Sequence, residues 1–385
     1  MTKGYVPFAL GFRPFFLCAG LAGALLLVIW LCFLGGHVPA NAYYGPIGWH
    51  SHEMLFGFTT AIIAGFLLTA VRNWTGINTI TGKPLAALAG LWLVGRILPF
   101  LPVPGGLIAL VDLAFLPALA LALRHPLMEA ESKANRVFLV ALGLATVANL
   151  LVHLQALGVT TGSAIAGTGM MRYLILWILV IISGRIMPFF TRTGVPGVMP
   201  VNRDDIERLA VALLFALMVA DVLSPTSWVS GLIAAALAVV HVIRVKGWYD
   251  HKIWTSPILW VLYTAYFWLI ASFALQALST LGWVNPNLAT HAFTYGTVGI
   301  FTMGMMSRVA LGHSGRMLVT AKPINIAFMI LNAGAFVRVL MPIVAPGQYN
   351  IWLYLSGGLW VVAFVIFSVI YVPILIRPRA DGQPG

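Results

Sequence analysis

The amino-acid sequence predicts an all-α polytopic membrane protein with about twelve transmembrane helices and an internal duplication. Hydrophobic residues make up 61% of the 385 residues and charged residues only 8%, whereas roughly a quarter of the residues of an ordinary soluble protein are charged. Apolar runs of about 18–26 residues recur along the chain, each long enough to cross ~30 Å of hydrocarbon as a helix. Basic residues collect in alternate loops, as they do in polytopic membrane proteins. These observations exclude an ordinary soluble protein, a disordered chain and, with only two cysteines, a disulfide scaffold.

The apolar runs are predicted to form a single integral membrane domain over residues 1–385. In chain order they lie near residues 15–36, 50–71, 84–101, 105–124, 136–158, 165–190, 207–224, 226–244, 257–281, 289–312, 322–343 and 350–376. The first run is too long for a signal peptide, so we expect it to remain in the mature protein.

The positive charge of the chain also fits a membrane protein. There are 22 Lys and Arg against 10 Asp and Glu, which gives a formal net charge of +12. Lys3 and Arg13 precede the first predicted helix, and Arg377 and Arg379 follow the last. By the positive-inside rule, the sequence predicts a multi-pass membrane protein with both termini in the cytoplasm. The bilayer accounts for the charge, so no nucleic acid partner is expected.

Two segments, 52–100 and 291–342, are predicted to be copies of one another. Their first 33 residues align without gaps and share seven identities. The matching residues of chemical interest are two histidines and two arginines, His52 with His291 and, after a three-residue slip, Arg96 with Arg338. The alternative is chance matching between glycine-rich membrane helices.

Four histidines are predicted to lie at one depth, near the outer ends of their helices. They are His50, His52, His153 and His291. Imidazole binds both haem iron and copper, and the lack of a Cys-x-x-Cys-His motif excludes covalent c-type haem. We therefore predict a non-covalent haem b between His52 and His291, and a second centre, haem or copper, at His50 and His153. The alternative is ordinary hydrogen bonding between helices.

Three arginines depart from the positive-inside pattern because they lie near the outer ends of helices. They are Arg96, Arg172 and Arg338. A guanidinium group matches a carboxylate in shape and charge, so these residues are predicted to bind haem propionates. The alternative is an ion pair with one of the few acids near membrane depth, Glu53, Asp112 or Asp221.

Glu53 follows His52 directly and is predicted to orient a ligand imidazole or to donate protons. A simpler role is that of an acid favoured at the start of a helix. Small residues lie beside these histidines, including Gly57 and Gly65 on the second helix and Gly296 and Gly299 on the tenth. They predict either clearance for a flat ligand or close packing of helices.

Several longer motifs resemble those of the NnrS family. They are Phe12-Arg13-Pro14-Phe15-Phe16, Trp49-His50-Ser51-His52-Glu53-Met54-Leu55-Phe56-Gly57, Gly65-Phe66-Leu67-Leu68-Thr69-Ala70-Val71, Gly184-Arg185-Ile186-Met187-Pro188-Phe189-Phe190-Thr191-Arg192 and a segment from Arg308 through Gly312-His313 to Gly315-Arg316. The resemblance spans nearly the whole chain. It implies a twelve-helix protein of the bacterial inner membrane, with haem and copper, that is linked to the bacterial response to nitric oxide.

The function expected from this resemblance is the handling of nitric oxide (NO) at a haem. The most specific expectation is a nitric oxide reductase that reduces two NO to nitrous oxide with electrons from quinol or another membrane donor. A haem-based sensor or scavenger that does not turn over is one alternative. A twelve-helix solute transporter, which the duplication alone suggests, is another.

Overall fold

The computed structural model describes residues 6–37, 43–131, 133–224 and 226–383, and these residues form helices without any strand. Within these ranges, twelve long helices occupy the positions that the sequence predicts. They are α1 (Phe12–Leu34), α2 (Pro46–Thr75), α3 (Gly82–Phe100), α4 (Gly105–Glu129), α5 (Lys133–Ala156), α6 (Ser163–Gly194), α7 (Asp204–Leu223), α8 (Trp228–Trp248), α9 (Pro257–Thr280), α10 (residues 286–313), α11 (Lys322–Val344) and α12 (Pro346–Ile376).

Ten of these helices, in the part of the chain that is described, are long and apolar enough to cross a membrane. The other two are α7 and α10. The first turn of α7 carries Asp204, Asp205 and Glu207, and α10 is rich in glycine and threonine, so both are less apolar. The predicted all-α polytopic fold is confirmed, with ten spans by length and composition where about twelve were expected.

In the two segments predicted to be copies, the helices end and begin at residues of the same type. Gly76 at the end of α2 has φ +71°, and Gly315 just after α10 has φ +70°. Glycine adopts this left-handed conformation without strain, which makes it the usual residue past a helix end. Pro84 and Pro323 lie in the first turns of α3 and α11, where the missing N–H is not needed. These shared helix ends support the duplication, which stays a prediction.

Each of the two segments has a π-helix directly after its histidine. Glu53–Phe58 follows His52 within α2, and Ala292–Gly299 follows His291 within α10. A π-helix is rare, and it is found mostly as a short insertion at functional sites. A turn of π-helix contains more residues than a turn of α-helix, so the side chains that follow it point in a different direction.

The small residues beside the histidines pack against large side chains. A Cβ atom added at Gly65 would lie 2.8 Å from the ring of Phe16, and one added at Gly296 would lie 2.6 Å from Trp268. At Gly299 the added atom would meet the ring of Trp360. At these three positions the structure therefore shows close packing and not the clearance expected for a flat ligand.

The chain divides into two compact units, and each holds one of the matching histidines. The first unit consists of Met1–Leu174, Val309–Met317 and Phe367–Gly385. The second consists of Ile175–Arg308 and Leu318–Ile366. His52 and Arg96 lie in the first unit, whereas His291 and Arg338 lie in the second.

Candidate metal centre

Three helices of the first unit bring two histidines and an aspartate together. His52 lies in α2, Asp112 in α4 and His153 in α5, and one ligand atom of each lies within 4.8 Å of the other two. Both histidines are fully buried, and Asp112 is 4% exposed. Among the described residues, these three side chains form a group that could hold a metal ion.

Both imidazole rings turn the same nitrogen toward the aspartate. The Nε2 atoms of His52 and His153 lie 3.1 and 3.0 Å from Oδ2 of Asp112. The other ring nitrogen of each histidine is also hydrogen-bonded. Nδ1 of His52 is 3.1 Å from Oε1 of Glu53, and Nδ1 of His153 is 2.9 Å from the Tyr43 hydroxyl. Metal-binding histidines are oriented in this way, with the second nitrogen hydrogen-bonded to a carboxylate or another oxygen.

Asn149 and Tyr44 complete the polar surface of the cluster. The side-chain amide of Asn149 donates to Oδ2 of Asp112 at 2.7 Å, and its oxygen lies 3.0 Å from Nε2 of His52. Asn149 precedes His153 by four residues, which places both on the same face of α5. The Tyr44 hydroxyl lies 3.3 Å from Nε2 of His52. The amide and hydroxyl oxygens are therefore further candidate ligands.

Arg96 of α3 ties the two carboxylates together. Its Nη1 donates to both carboxylate oxygens of Glu53 at 3.0 Å, and its Nη2 pairs with Oδ1 of Asp112. The predicted alternative for Arg96, an ion pair with a membrane-depth acid, is thus what the structure contains. Trp92, one turn earlier, donates from its indole to the carbonyl of Gly57 at 3.0 Å and fixes α3 against the π-helix.

Two glycines make room for this network. A Cβ atom at Gly57 would lie 2.7 Å from Nη1 of Arg96, and one at Gly95 would lie 3.1 Å from Oδ1 of Asp112. A side chain at Gly57 would block the guanidinium on its way to Glu53. Gly57 therefore serves the ion pair and not a flat ligand.

The cluster carries more negative than positive charge. Two carboxylates, Glu53 and Asp112, face one guanidinium, that of Arg96. Uncompensated charge is expensive in a buried site, so the cluster requires one more positive charge, which a metal ion or a proton on a histidine or a carboxylate supplies. Metal–nitrogen and metal–oxygen bonds of about 2.0–2.2 Å place ligand atoms about 3 Å apart around one ion. The Nε2 atoms of His52 and His153, at 3.1 and 3.0 Å from Oδ2 of Asp112, match that spacing.

A haem does not fit at the Nε2 atom of His52. A porphyrin needs a wide flat space in front of its ligand nitrogen, but oxygens of Asp112, Asn149 and Tyr44 lie 3.0–3.3 Å from this atom. Tyr44 and Phe56 also stack on the imidazole, with ring centroids at 4.4 and 5.2 Å. The haem predicted at His52 is therefore at odds with the packing, whereas a single ion is compatible with it.

Comparison with known families identifies the family of this chain. The chain matches the family described as NnrS protein over residues 6–379. This chain belongs to the NnrS family. No curated protein matches it.

Membership of the NnrS family confirms the resemblance carried by the motifs. It makes the chain a membrane protein of the nitric oxide response, from a family associated with metal or haem binding. The ten apolar helices agree with a location in a lipid bilayer. In this member of the NnrS family, the buried group of His52, Asp112 and His153 is the candidate for the metal.

The remaining predicted residues lie outside this cluster. The ring of His50 stacks on Trp30, with centroids 4.4 Å apart, so the structure pairs His153 with His52 and not with His50. Arg172 lies over the ring of Tyr173 at 5.3 Å.

In the second unit, the predicted His291 and Arg338 contact each other. Nη2 of Arg338 lies 3.1 Å from Nε2 of His291. Nδ1 of His291 donates to the carbonyl of Asn287 at 2.8 Å. Both side chains are half-buried. Binding of a haem by His291 stays a prediction.

Four contributors to the cluster are not among the ligands that the sequence predicts. The sequence predicts Asp112 only as an ion-pair partner for an arginine, and it indicates no role for Asn149, Tyr43 or Tyr44. A signal for Asn149 was present, because it lies one helical turn before His153 in an otherwise apolar helix. Tyr43 lies in the segment before α2 and carries no periodic signal.

Proposed function

We propose that this protein holds one redox-active metal ion between His52, Asp112 and His153, and that nitric oxide reacts there. The observation that carries the proposal is the orientation of the two imidazoles. Both Nε2 atoms face one carboxylate oxygen at 3.0–3.1 Å, while Glu53 and Tyr43 hold the Nδ1 atoms. Metal-binding imidazoles are held in this way, with the second ring nitrogen hydrogen-bonded to an oxygen.

The donor set favours non-haem iron or copper. Two histidines with one carboxylate are the ligands of non-haem iron(II) sites with open positions, and imidazole also suits copper. When bound, such an ion supplies an electron and an open coordination position for NO. Asn149 offers an oxygen 3.0 Å from Nε2 of His52 as a further ligand.

The surroundings of the cluster suit NO as the substrate. NO is small and apolar, so it reaches a site at membrane depth through lipid without a polar channel. Reduction of two NO to nitrous oxide and water consumes two electrons and two protons. Glu53, hydrogen-bonded to His52, is placed to pass protons toward the site, and quinol in the bacterial inner membrane would supply the electrons. We propose that both termini lie in the cytoplasm, so the cluster faces the outer side.

The Tyr43 phenol is suited to hold His153 through this chemistry. Burial raises the pKa of Tyr43 to about 12, so its hydroxyl stays protonated at neutral pH. When Nε2 of His153 binds a metal, Nδ1–H donates to the hydroxyl oxygen of Tyr43. The neutral phenol then adds no negative charge to the cluster.

A haem b is a second proposal, for the second unit. Nδ1 of His291 donates to the backbone carbonyl of Asn287, a common arrangement for a metal-binding histidine. Arg338 lies beside its Nε2 atom and is placed to turn to a propionate. Haem binding with loss on His291→Ala, alongside a retained ion at the His52 cluster, would establish two separate centres.

The proposal is tested on the purified protein in detergent, after growth with ample iron and copper. We expect the reduced protein to change its absorption or electron paramagnetic resonance spectrum when NO is added. NO consumption measured with an electrode, with and without quinol, separates a reductase from a sensor or scavenger.

The matched variants are His153→Ala in the cluster and His125→Ala, an exposed histidine of α4. Loss of the NO-dependent signal in the first and its retention in the second support the site. An unchanged signal in His153→Ala would contradict it, and a protein without any metal would favour the transporter.

A further inference from the structure

Two motifs that the metal centre does not use meet at one end of the first unit. The segment 12–16 begins α1, and the segment 308–316 ends α10. The rings of Phe12 and His313 lie 5.8 Å apart. The chain that follows α12 joins them, because Nη1 of Arg379 donates to the carbonyl of His313 at 3.1 Å. The start of α1, the end of α10 and the chain after α12 lie far apart in the sequence, and the fold brings them into contact.

Arg13 anchors this meeting point. Its Nη1 donates to the carbonyls of Leu375 and Arg377 at 2.8 Å each, and its side chain is fully buried. These carbonyls belong to the C-terminal end of α12, where the helix dipole favours a cation. Arg13 therefore has a structural role that accounts for its burial.

The other cations around Arg13 lack such an explanation. Arg316 follows His313 by three residues, and Arg379 is held at the carbonyl of His313. The backbone N–H of Phe12, whose ring contacts His313, donates to Oγ1 of Thr69 at 3.1 Å, and Arg72 lies one helical turn beyond Thr69. We call Arg13, Arg72, His313, Arg316 and Arg379 the basic cluster. The positive-inside rule explains why basic residues lie on this side of a membrane. It does not explain why they converge, since like charges brought together repel each other.

One carboxylate compensates the basic cluster within the described chain. Arg379 donates to Asp381 through both Nε, at 2.9 Å, and Nη2. This hydrogen-bonded pair holds the pKa of Asp381 at about 2, so its charge is present at any physiological pH. Among the described residues, neither Arg72 nor Arg316 takes part in an ion pair. The cluster is left with an excess of positive charge.

The turn after α10 directs Arg316 into the basic cluster. Gly315 has φ +70°, and the backbone N–H of Arg316 returns to the carbonyl of Leu311 at 3.0 Å. A Cβ atom at Gly315 would lie 2.6 Å from Oδ1 of Asp381. Glycine is therefore required both for the turn and for the close approach of the C-terminal tail. Arg316 is half-buried and Arg72 is exposed, so a ligand can reach both from outside.

We propose that the basic cluster binds a phosphate-type oxyanion through Arg72, Arg316 and His313. Guanidinium groups match the oxygens of phosphate in pairs. The cluster lies where α1 begins and where α2, α10 and α12 end, and lipid headgroups lie at the ends of helices that cross a bilayer. The phosphate of an anionic lipid is one source of this group, and free phosphate is the other. An acidic headgroup attracts basic residues near the surface of the cytoplasmic leaflet.

The experiment uses the full-length protein, delipidated in a neutral detergent. Dioleoyl phosphatidylglycerol, dioleoyl phosphatidylcholine and inorganic phosphate are added separately, and binding is followed by native mass spectrometry and by the shift in thermal unfolding. The test variant is Arg72→Gln with Arg316→Gln. The control is Arg124→Gln with Arg208→Gln, which removes two exposed charges elsewhere. Monodisperse elution and unchanged metal content show that each variant is folded.

We expect phosphatidylglycerol to bind the wild-type protein and the control at least tenfold more tightly than phosphatidylcholine. The test variant should lose about tenfold in affinity, in line with the attraction of two basic residues for an anionic headgroup. Competition by inorganic phosphate at equal strength would assign the site to free phosphate, and lack of competition would assign it to the lipid. Equal binding of both lipids without any effect of phosphate, or an unaffected test variant, would overturn the proposal.

Discussion

The two histidine–arginine pairs at matching positions differ in what lies between the partners. In the first unit, Glu53 bridges His52 and Arg96, and all three are buried. In the second unit, Arg338 contacts His291 directly at 3.1 Å, and both are half-buried. The residue after His291 is alanine, where the residue after His52 is Glu53.

The backbones of the two regions are nevertheless alike. A π-helix follows each histidine, and a glycine with φ near +70° follows the end of each of the two helices, α2 and α10. The shared backbone therefore presents a histidine and an arginine in both regions, and the carboxylates decide what each pair can bind. Glu53 and Asp112 give the first region the negative charge that a metal ion requires.

The largest effect is expected from Asp112→Asn. The amide has nearly the shape of the carboxylate but carries no charge, so it removes the shared ligand and the excess negative charge together. We expect bound metal to fall below about a tenth of the wild-type content, since a primary ligand exceeds the 10–100-fold effect of residues that only orient ligands. Metal analysis of the purified variant measures this. Asp221→Asn, at a half-buried acid in the second unit, is the control, and equal metal in both variants would refute the role of Asp112.

Replacing the two arginines compares the regions directly. Arg96→Met leaves two buried carboxylates without their cation, which should cost about 3–5 kcal/mol of stability. Arg338→Met removes a hydrogen bond to a neutral, half-buried imidazole and should cost about 1 kcal/mol. Unfolding in mixed micelles gives both values. Similar costs, or a larger cost for Arg338, would show that the carboxylates do not distinguish the regions.

Glu53→Ala gives His52 the same following residue, alanine, that His291 has. His52 keeps its place but loses the acceptor on Nδ1, so metal affinity should fall about 10–100-fold without being abolished. Glu53→Gln retains an oxygen acceptor and should lose less. Competition with a chelator ranks the three proteins, and a ranking in which Gln is as weak as Ala would mean that charge and not orientation is what Glu53 provides.

The smallest effect is expected at Gly95. Its added Cβ would lie 3.1 Å from Oδ1 of Asp112, whereas Gly90 in the same helix has nothing within 4 Å. Both substitutions gain about 1 kcal/mol of helix propensity, so the difference between them reports on Asp112. We expect Gly95→Ala to weaken metal retention several-fold and Gly90→Ala to leave it unchanged. Equal retention would mean that Asp112 adjusts freely.

The positions of the helices follow from the sequence for physical reasons. Runs of apolar residues and alternating loop charges report directly on the bilayer, so α1 to α12 lie where predicted. His52, Glu53 and Arg96 were identified because polar side chains in apolar helices are exceptional. The same rule would have ranked Asp112 with them, had it been treated as a ligand.

What the sequence could not supply is the rotation of one helix about its axis relative to the next. His50 and His52 are two residues apart, and only packing decides that His50 meets Trp30 while His52 meets Asp112. The π-helix after His52 changes this rotation locally and has no periodic signature in the sequence. His153 was expected to join His50, but it joins His52 for the same reason.

The metal content of the purified protein is the direct test of a metal ion bound at His52, Asp112 and His153. Iron, copper and zinc are measured per chain, by mass spectrometry of the elements, in wild-type protein, His52→Ala and His125→Ala. The proposed centre predicts one ion per chain at the cluster in wild type and in His125→Ala, and its loss in His52→Ala with the protein still inserted in the membrane. Wild-type protein without metal from replete cells, or full metal content in His52→Ala, would contradict it.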